Sequence, residues 1–371
     1  MTARTPRLRT LLLALAGLAA VLALAACGGD DDDDGGSESG GGGTIGFLLP
    51  ETQTARYESQ DKPLFEGKVS ELCPDCEIFY QNADQDPTKQ QQQVEAAVTE
   101  GVDVLVLDPV DSTASAGLAQ RAKDAGIPVI SYDRLILDAD LDYYVSFDSV
   151  EVGKQQGEAL AKKLDQDGSP QGPIVKINGD PKDNNATLFD EGSDAALGDA
   201  GVEIAEEYDT PDWLAENAQR EMEQAITAVG DGGFAGVYAA NDGTAGGAIA
   251  ALKAAGIEPA SRPVTGQDAE LAGIQRIIDG EQYMTVYKPL KPLAESAAEL
   301  AVAIANGEDP PSGLINGEED NGTEKVPTVF LDTVPVTKDN VQDTVVADDF
   351  WSVDEICTQQ YAQACKDAGI Q

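Results

Sequence analysis

From residue 44 onward, short apolar runs alternate with stripes of apolar residues at helical spacing. Residues 45–49, IGFLL, form the first run. Val94, Ala97 and Val98 lie on one helix face, and Gly101 ends that helix. Residues 102–107 are an apolar run, broken only by Asp103 and closed by Asp108-Pro109. Leu118, Ala119, Ala122 and Ala125 make the next stripe, stopped by Gly126. A strand over 127–131 then ends in Tyr132-Asp133-Arg134.

The order of elements recurs. Ala218, Met222, Ala225, Ile226 and Val229 form a stripe, and residues 236–239 a strand ending in Asn241-Asp242. Residues 245–255 predict a helix stopped by Gly256, and 263–265 a strand ending in Gln267-Asp268. The segments QRAKDAGIP (120–128) and AALKAAGIE (250–258) match in pattern, as a duplicated βαβ module would. Continuous apolar strands between helices belong to parallel sheets covered on both faces. Two such runs predict two doubly wound α/β lobes, and 371 residues suffice for both.

The first 43 residues carry no such pattern. Arg4, Arg7 and Arg9 precede a 16-residue apolar run over 11–26, too short for a membrane span of about 20 residues. It ends in Leu24-Ala25-Ala26-Cys27, which resembles a bacterial lipobox. The expectation is a signal peptide over 1–26, with Cys27 lipidated after cleavage. Residues 28–43, rich in Gly and with Asp30 to Asp34 in one block, cannot bury a core. They read as a solvated tether spanning roughly 20–25 Å.

Composition narrows the chemistry. The net charge is -43, and three of the basic residues lie in the leader. Such a surface repels phosphate backbones, so a nucleic-acid partner is not expected. The chain has no histidine, which removes Ser-His-Asp and Cys-His systems and every histidine metal site. A carboxylate-pair glycosidase needs none and stays open as a rival, but aromatics at 5% offer no extended sugar subsites. No glycine-rich phosphate loop is present. No metal or cofactor is expected.

Cys73-Pro74-Asp75-Cys76 and the pair Cys357 and Cys365 remain. In an oxidising compartment, two local disulfides are the leading reading. The C-x-x-C alternatives are a redox pair or half a zinc site. Eight residues of straight helix would separate Cys357 and Cys365 by ~12 Å, so bonding requires a turn between them.

In parallel sheets, ligands bind beyond the carboxyl ends of the strands. Those ends here carry Asp108, Asp133-Arg134, Asn184-Asn185, Asn241-Asp242 and Gln267-Asp268. Helix capping is the competing role, and best fits Asp108 and Asp242. Planar Asp, Asn, Gln and Arg groups suit neighbouring hydroxyl pairs, and Tyr57, Phe147 and Trp213 are candidate walls for a sugar ring.

The segments SYDRLILDADLDYYVSFDSVEVG (131–153), GDPKDNNATLF (179–189), WLAENA (213–218), ANDGTAGGAIAAL (240–252), TGQDAELAGIQRI (265–277) and TVYKPL (285–290) closely resemble the D-xylose-binding periplasmic proteins of ABC sugar transporters. The resemblance implies a type I binding-protein fold whose lobes are joined by three hinge crossings. Lobe 1 would be 44–147 plus 268–308, and lobe 2 would be 148–267 plus 309–350. Residues 351–371 would form a C-terminal extension. Sugar contacts would come from Arg56, Tyr57, Asp133 and Arg134, then Asn184 or Asn185, Trp213 and Asn241, with Asp268 and Lys288 near the hinge. Tyr57 stands where the family usually has Trp, and Cys73–Cys76 is an insertion.

The resemblance further implies a non-enzymatic, extracytoplasmic monomer. It would be held to the cell membrane through lipid on Cys27 and would deliver a monosaccharide to permease subunits. Glucose, arabinose or ribose on the same scaffold, for transport or chemotactic sensing, are the alternatives. A regulator of this fold would carry a basic DNA-binding helix pair at its start, where this chain has a leader and an acidic tether.

Overall fold

A computed structural model describes residues 42–370. The expected leader, Cys27 and the tether up to residue 41 lie outside the described residues. The chain runs β1 (Thr44–Leu49), α1 (Lys62–Leu72), β2 (Glu77–Asn82), α2 (Pro87–Glu100), β3 (Val104–Leu107), α3 (Ala116–Asp124), β4 (Val129–Tyr132) and β5 (Tyr143–Phe147). It continues with α4 (Ser149–Gln166), β6 (Ile174–Ile177), α5 (Asn184–Ala200), β7 (Ile204–Tyr208), α6 (Ala215–Val229), β8 (Gly236–Ala239), α7 (Asp242–Ala254), α8 (Leu271–Asp279) and β9 (Met284–Tyr287). Then follow α9 (Leu290–Ala305), β10 (Gly317–Asp320), β11 (Lys325–Leu331), β12 (Val334–Thr337), α10 (Val353–Ile356) and α11 (Ala362–Asp367).

Local chemistry sets the element ends. Asp86 caps α2 by accepting from the amides of Thr88 and Lys89, Pro87 opens the helix, and Gly101 closes it at φ 77°. The strands β3, β4, β6 and β8 are buried throughout, as parallel strands between two helix layers must be.

Two lobes result. The first is a seven-stranded sheet in the order β10-β11-β5-β4-β3-β1-β2, parallel except for β10 against β11. On one face, Phe65 and Val69 of α1 and Leu293 to Ala301 of α9 meet the sheet; on the other, Val94 and Ala97 of α2 and Ala119 and Ala122 of α3 do. The second lobe carries the parallel sheet β7-β6-β8, with α6 and α7 on one face and α4 and α5 on the other. The predicted strand at 263–265 survives only as isolated bridges, Val237 to Val264 and Gln267 to Val286.

The lobe boundaries need correction. The first crossing falls after β5, as expected. The second was expected at 268 and the third at 309. They lie instead between β9 and α9, and between β11 and β12. Hydrogen bonding decides this: β9 pairs with β12 and bridges to Gln267 in the second lobe, and β11 pairs with β5 in the first. No crossing falls at 268, because Gln267 bridges to Val286 and the chain runs on into α8 within lobe 2. The residues beyond 350 pack on α8 of the same lobe. Cys73 is bonded to Cys76, and Cys357 to Cys365 with Cα atoms 5.8 Å apart across a turn.

Candidate functional site

Strand ends from both lobes face one cavity, lined almost wholly by polar and aromatic side chains. Arg56, Tyr57, Asp133 and Arg134 line it from lobe 1. Asn185, Trp213, Asn241, Asp268 and Lys288 line it from lobe 2 and the second crossing. Asn184 does not: its amide donates to Ser112 Oγ at 3.0 Å across the lobes, and the next residue turns inward. Thr54, Asp183, Phe189 and Gln267 complete the lining. Phe147 is buried beside the site, 5.7 Å from Lys288 Nζ, and is not among the lining residues.

Asp133 follows β4 with φ 56°, a conformation Asp tolerates better than most residues. Its carbonyl accepts from Tyr144 Oη, Ser146 Oγ and Asn185 Nδ2 at 2.9, 2.6 and 3.1 Å. Its carboxylate meets Arg56 Nη1 at 2.7 Å and accepts from Tyr57 Oη at 3.4 Å. Burial alone raises this carboxyl, but Arg56, Lys288 and Arg134 outweigh it and hold it below the usual range. Behind it, Arg56 donates through Nε and Nη2 to both oxygens of the fully buried Asp61, at 2.9 and 2.7 Å. Lys288 Nζ reaches Asp268 Oδ1 at 2.7 Å.

Asp183 was not anticipated as a site residue. Its Oδ1 caps α5 through the Asn185 amide, while Oδ2 accepts from Trp213 Nε1 at 3.2 Å and pairs with Arg134 Nε at 3.1 Å. One carboxylate thereby orients the aromatic wall and a guanidinium from the opposite lobe. The D-N-N sequence over 183–185, where α5 opens, carried a capping signal but none for these partners. Phe189, four residues after Asn185, shares its helix face, which was the available clue.

The capping expectation fails for Asp108 and Asp242. Asn241 caps α7 in a box with Thr244, and Asp242 turns inward to accept from Gln282 Nε2 and Thr285 Oγ1 at 2.6 and 3.0 Å. Asp108 is wholly buried, 3.7 Å from Arg134 Nε, with neither oxygen accepting a hydrogen bond within the protein. Burial pushes its carboxyl well above the usual value. A carboxyl raised on folding favours the folded state while protonated. That stabilisation is complete below about pH 4, where the unfolded group also holds its proton, and is lost as pH rises toward the folded value. The melting temperature should fall between pH 4.5 and 7.5, and Asp108→Asn should flatten part of that fall. Identical profiles for both proteins would mean that Asp108 is ionised in the fold.

Two buried acceptors at the cavity, Asn185 Oδ1 and Gln267 Oε1, make no hydrogen bond within the protein, and Arg56 Nη1 and Asp268 Oδ1 are held there by ion pairs at 2.7 Å with Asp133 and Lys288. Buried polar groups are normally satisfied. Two free acceptors together with ion-paired cations and carboxylates, converging from two lobes beside the Trp213 ring, form a receptor for a small solute that both donates and accepts. All three carboxylates that line the cavity, Asp133, Asp183 and Asp268, are ion-paired to cations.

The family model of the periplasmic binding protein domain matches residues 45–309. The chain is 39% identical over 316 residues to the D-xylose-binding periplasmic protein of Escherichia coli strain K12, covering 84% of this chain and 92% of that one. It is 37% identical to the protein of the same name from Haemophilus influenzae, covering 84% and 91%. Among solved structures it is similar to a carbohydrate transporter solute-binding protein from Chloroflexus aurantiacus in complex with D-glucose. That match has 32% identity and a TM-score of 0.74, covering 84% of this chain and 97% of that one. The chain belongs to the periplasmic binding protein family, whose members bind substrates for transport and are not enzymes.

Proposed function

We propose that the chain binds a monosaccharide, D-xylose first among them, between its lobes and delivers it to an ABC transporter. The observation that carries this reading is the convergence on the interlobe cavity of two buried acceptors without a hydrogen bond, Asn185 Oδ1 and Gln267 Oε1, with the ion-paired Arg56, Asp133, Asp268 and Lys288. Ring hydroxyls donate to these acceptors and accept from the cations, and the Trp213 and Tyr57 rings cover the apolar faces. Arg56, Asp133 and Arg134 hold the sugar from lobe 1; Asn185, Trp213, Asn241, Asp268 and Lys288 hold it from the other side. A ligand that touches both lobes favours the closed form by its extra contacts there. Xylose is placed first because the relatives named for it are 37–39% identical. D-glucose is the second reading, because the 32% identical structure holds it. The protein acts as a monomer, tethered outside the cytoplasm by lipid on Cys27.

The test is a thermal-shift screen against about twenty monosaccharides, with the best titrated by calorimetry. A ligand at a thousandfold excess over Kd stabilises by about 4 kcal/mol, which is readily seen. A shift with xylose supports the first reading, and a shift with glucose alone replaces it by the second. No shift with any sugar would sink both. Acyl labelling that is lost in Cys27→Ser tests the anchor.

Gly179 gives a sharper check on the wall. A methyl group there would lie 2.1 Å from Trp213 Cη2, so only glycine lets the indole lie where it does. Gly179→Ala should displace the ring and lower affinity by roughly tenfold or more, the worth of an aromatic contact. Tryptophan emission would report the displacement. Unchanged emission and affinity would place the wall elsewhere.

A further inference from the structure

The tail beyond β12 reaches the cavity from behind. Asp268 and Ala269 hold left-handed backbone, φ 85° and 50°. Residues with side chains adopt it only where their surroundings impose it. The amide of Asp268 donates to the Val286 carbonyl at 2.9 Å, and that of Ala269 to Thr285 Oγ1 at 3.2 Å. The Ala269 carbonyl accepts from Trp351 Nε1 at 2.8 Å, across 82 residues of chain.

Phe350 lies edge-on to Trp351 and to Tyr287, with ring centroids 5.4 and 5.0 Å apart. Tyr287 directly precedes Lys288, the partner of Asp268. Two adjacent aromatic residues of the tail thus grip both segments that supply this ion pair. The tail is itself fastened. Ile356, Cys365 and Ile370 are buried with Ile274, Ile277 and Ile278 of α8, the Cys357–Cys365 bond closes the last turn, and Gln275 Nε2 donates to the Glu355 carbonyl at 3.1 Å. The family match ends at residue 309, well before this segment.

We infer that the C-terminal tail positions the ligand site: Trp351, through the Ala269 carbonyl, holds Asp268 at the angle at which it meets Lys288 and a ligand hydroxyl. Trp351 is a positioning residue that touches no ligand itself. The inference rests on the sugar-binding reading of the cavity.

The experiment titrates D-xylose and D-glucose into the wild type and three variants, each also melted without sugar. Trp351→Phe keeps the ring and removes only the donor. It should weaken binding about five- to tenfold, the worth of one neutral hydrogen bond. Ala269→Gly in that background should restore most of the loss, because glycine takes positive φ without penalty. Ile370→Ala loosens the tail core but leaves the Trp351 bond intact, and should bind within about twofold of wild type. Unchanged affinity in Trp351→Phe overturns the inference and leaves the site reading standing. So does affinity that tracks melting temperature across all variants, since that marks a merely structural tail. A wild type that binds neither sugar refutes the site reading itself, and the inference with it.

Discussion

Asp133→Ala should lose roughly 10- to 150-fold in monosaccharide affinity, the worth of one charge-assisted hydrogen bond of about 1.5–3 kcal/mol. Its removal does not strand a charge. Arg56 keeps the bidentate pair with Asp61, so its guanidinium remains compensated. The backbone turn also persists, because three donors hold the Asp133 carbonyl whatever the side chain. Alanine at φ 56° adds a cost of about 1–2 kcal/mol, a drop of a few degrees. Asp133→Asn separates the two effects, since Asn tolerates this conformation and loses only the charge. Calorimetry on both variants, alongside melting curves, checks the point. Wild-type affinity in Asp133→Asn and Asp133→Ala alike would remove this residue from the ligand site.

Arg56→Met should behave in the opposite way and cost the fold before the site. Asp61 is wholly buried and would lose both of its guanidinium hydrogen bonds, keeping only that from Tyr132. Asp133 would lose its 2.7 Å partner. Removing one member of a buried ion pair costs about 3–5 kcal/mol, because the other charge is left uncompensated. For a chain of this size that is a fall of roughly 6–20 °C in melting temperature. Asp61→Asn combined with Arg56→Met should recover part of it by removing the stranded charge. A single variant as stable as the parent would mean that Asp61 takes up a proton at little cost. The contrast between these neighbours follows from which carboxylates each leaves behind.

Much of the site is legible in the amino-acid sequence. Polar planar side chains at the ends of parallel strands point to a ligand cleft, and Asp133, Arg134, Asn241 and Asp268 all line the cavity. The choice between Asn184 and Asn185 is not legible there. Both open the same helix, and the outcome turns on Ser112 of the other lobe taking the Asn184 amide. Asp108 and Asp242 share the sequence context of helix caps. They turn inward because Arg134 in one case, and Gln282 and Thr285 in the other, wait in the interior. Asp183 carries a local signal that explains one of its oxygens and is silent on the other.

By itself the sequence determined the α/β class, the alternation of buried strands with amphipathic helices, the helix stops at glycines, and the strand ends where polar groups gather. These are consequences of periodicity and backbone chemistry, which act within a few residues. The tertiary structure alone decided which lobe owns residues 268–287 and 325–331, because β11 finds β5 across some 180 residues and no local pattern names a strand's partner. It also decided which buried charges neutralise one another, and brought Trp351 behind Asp268. Ion pairing and close packing are settled by neighbours in space, and in a chain that crosses three times between lobes those neighbours are remote in sequence.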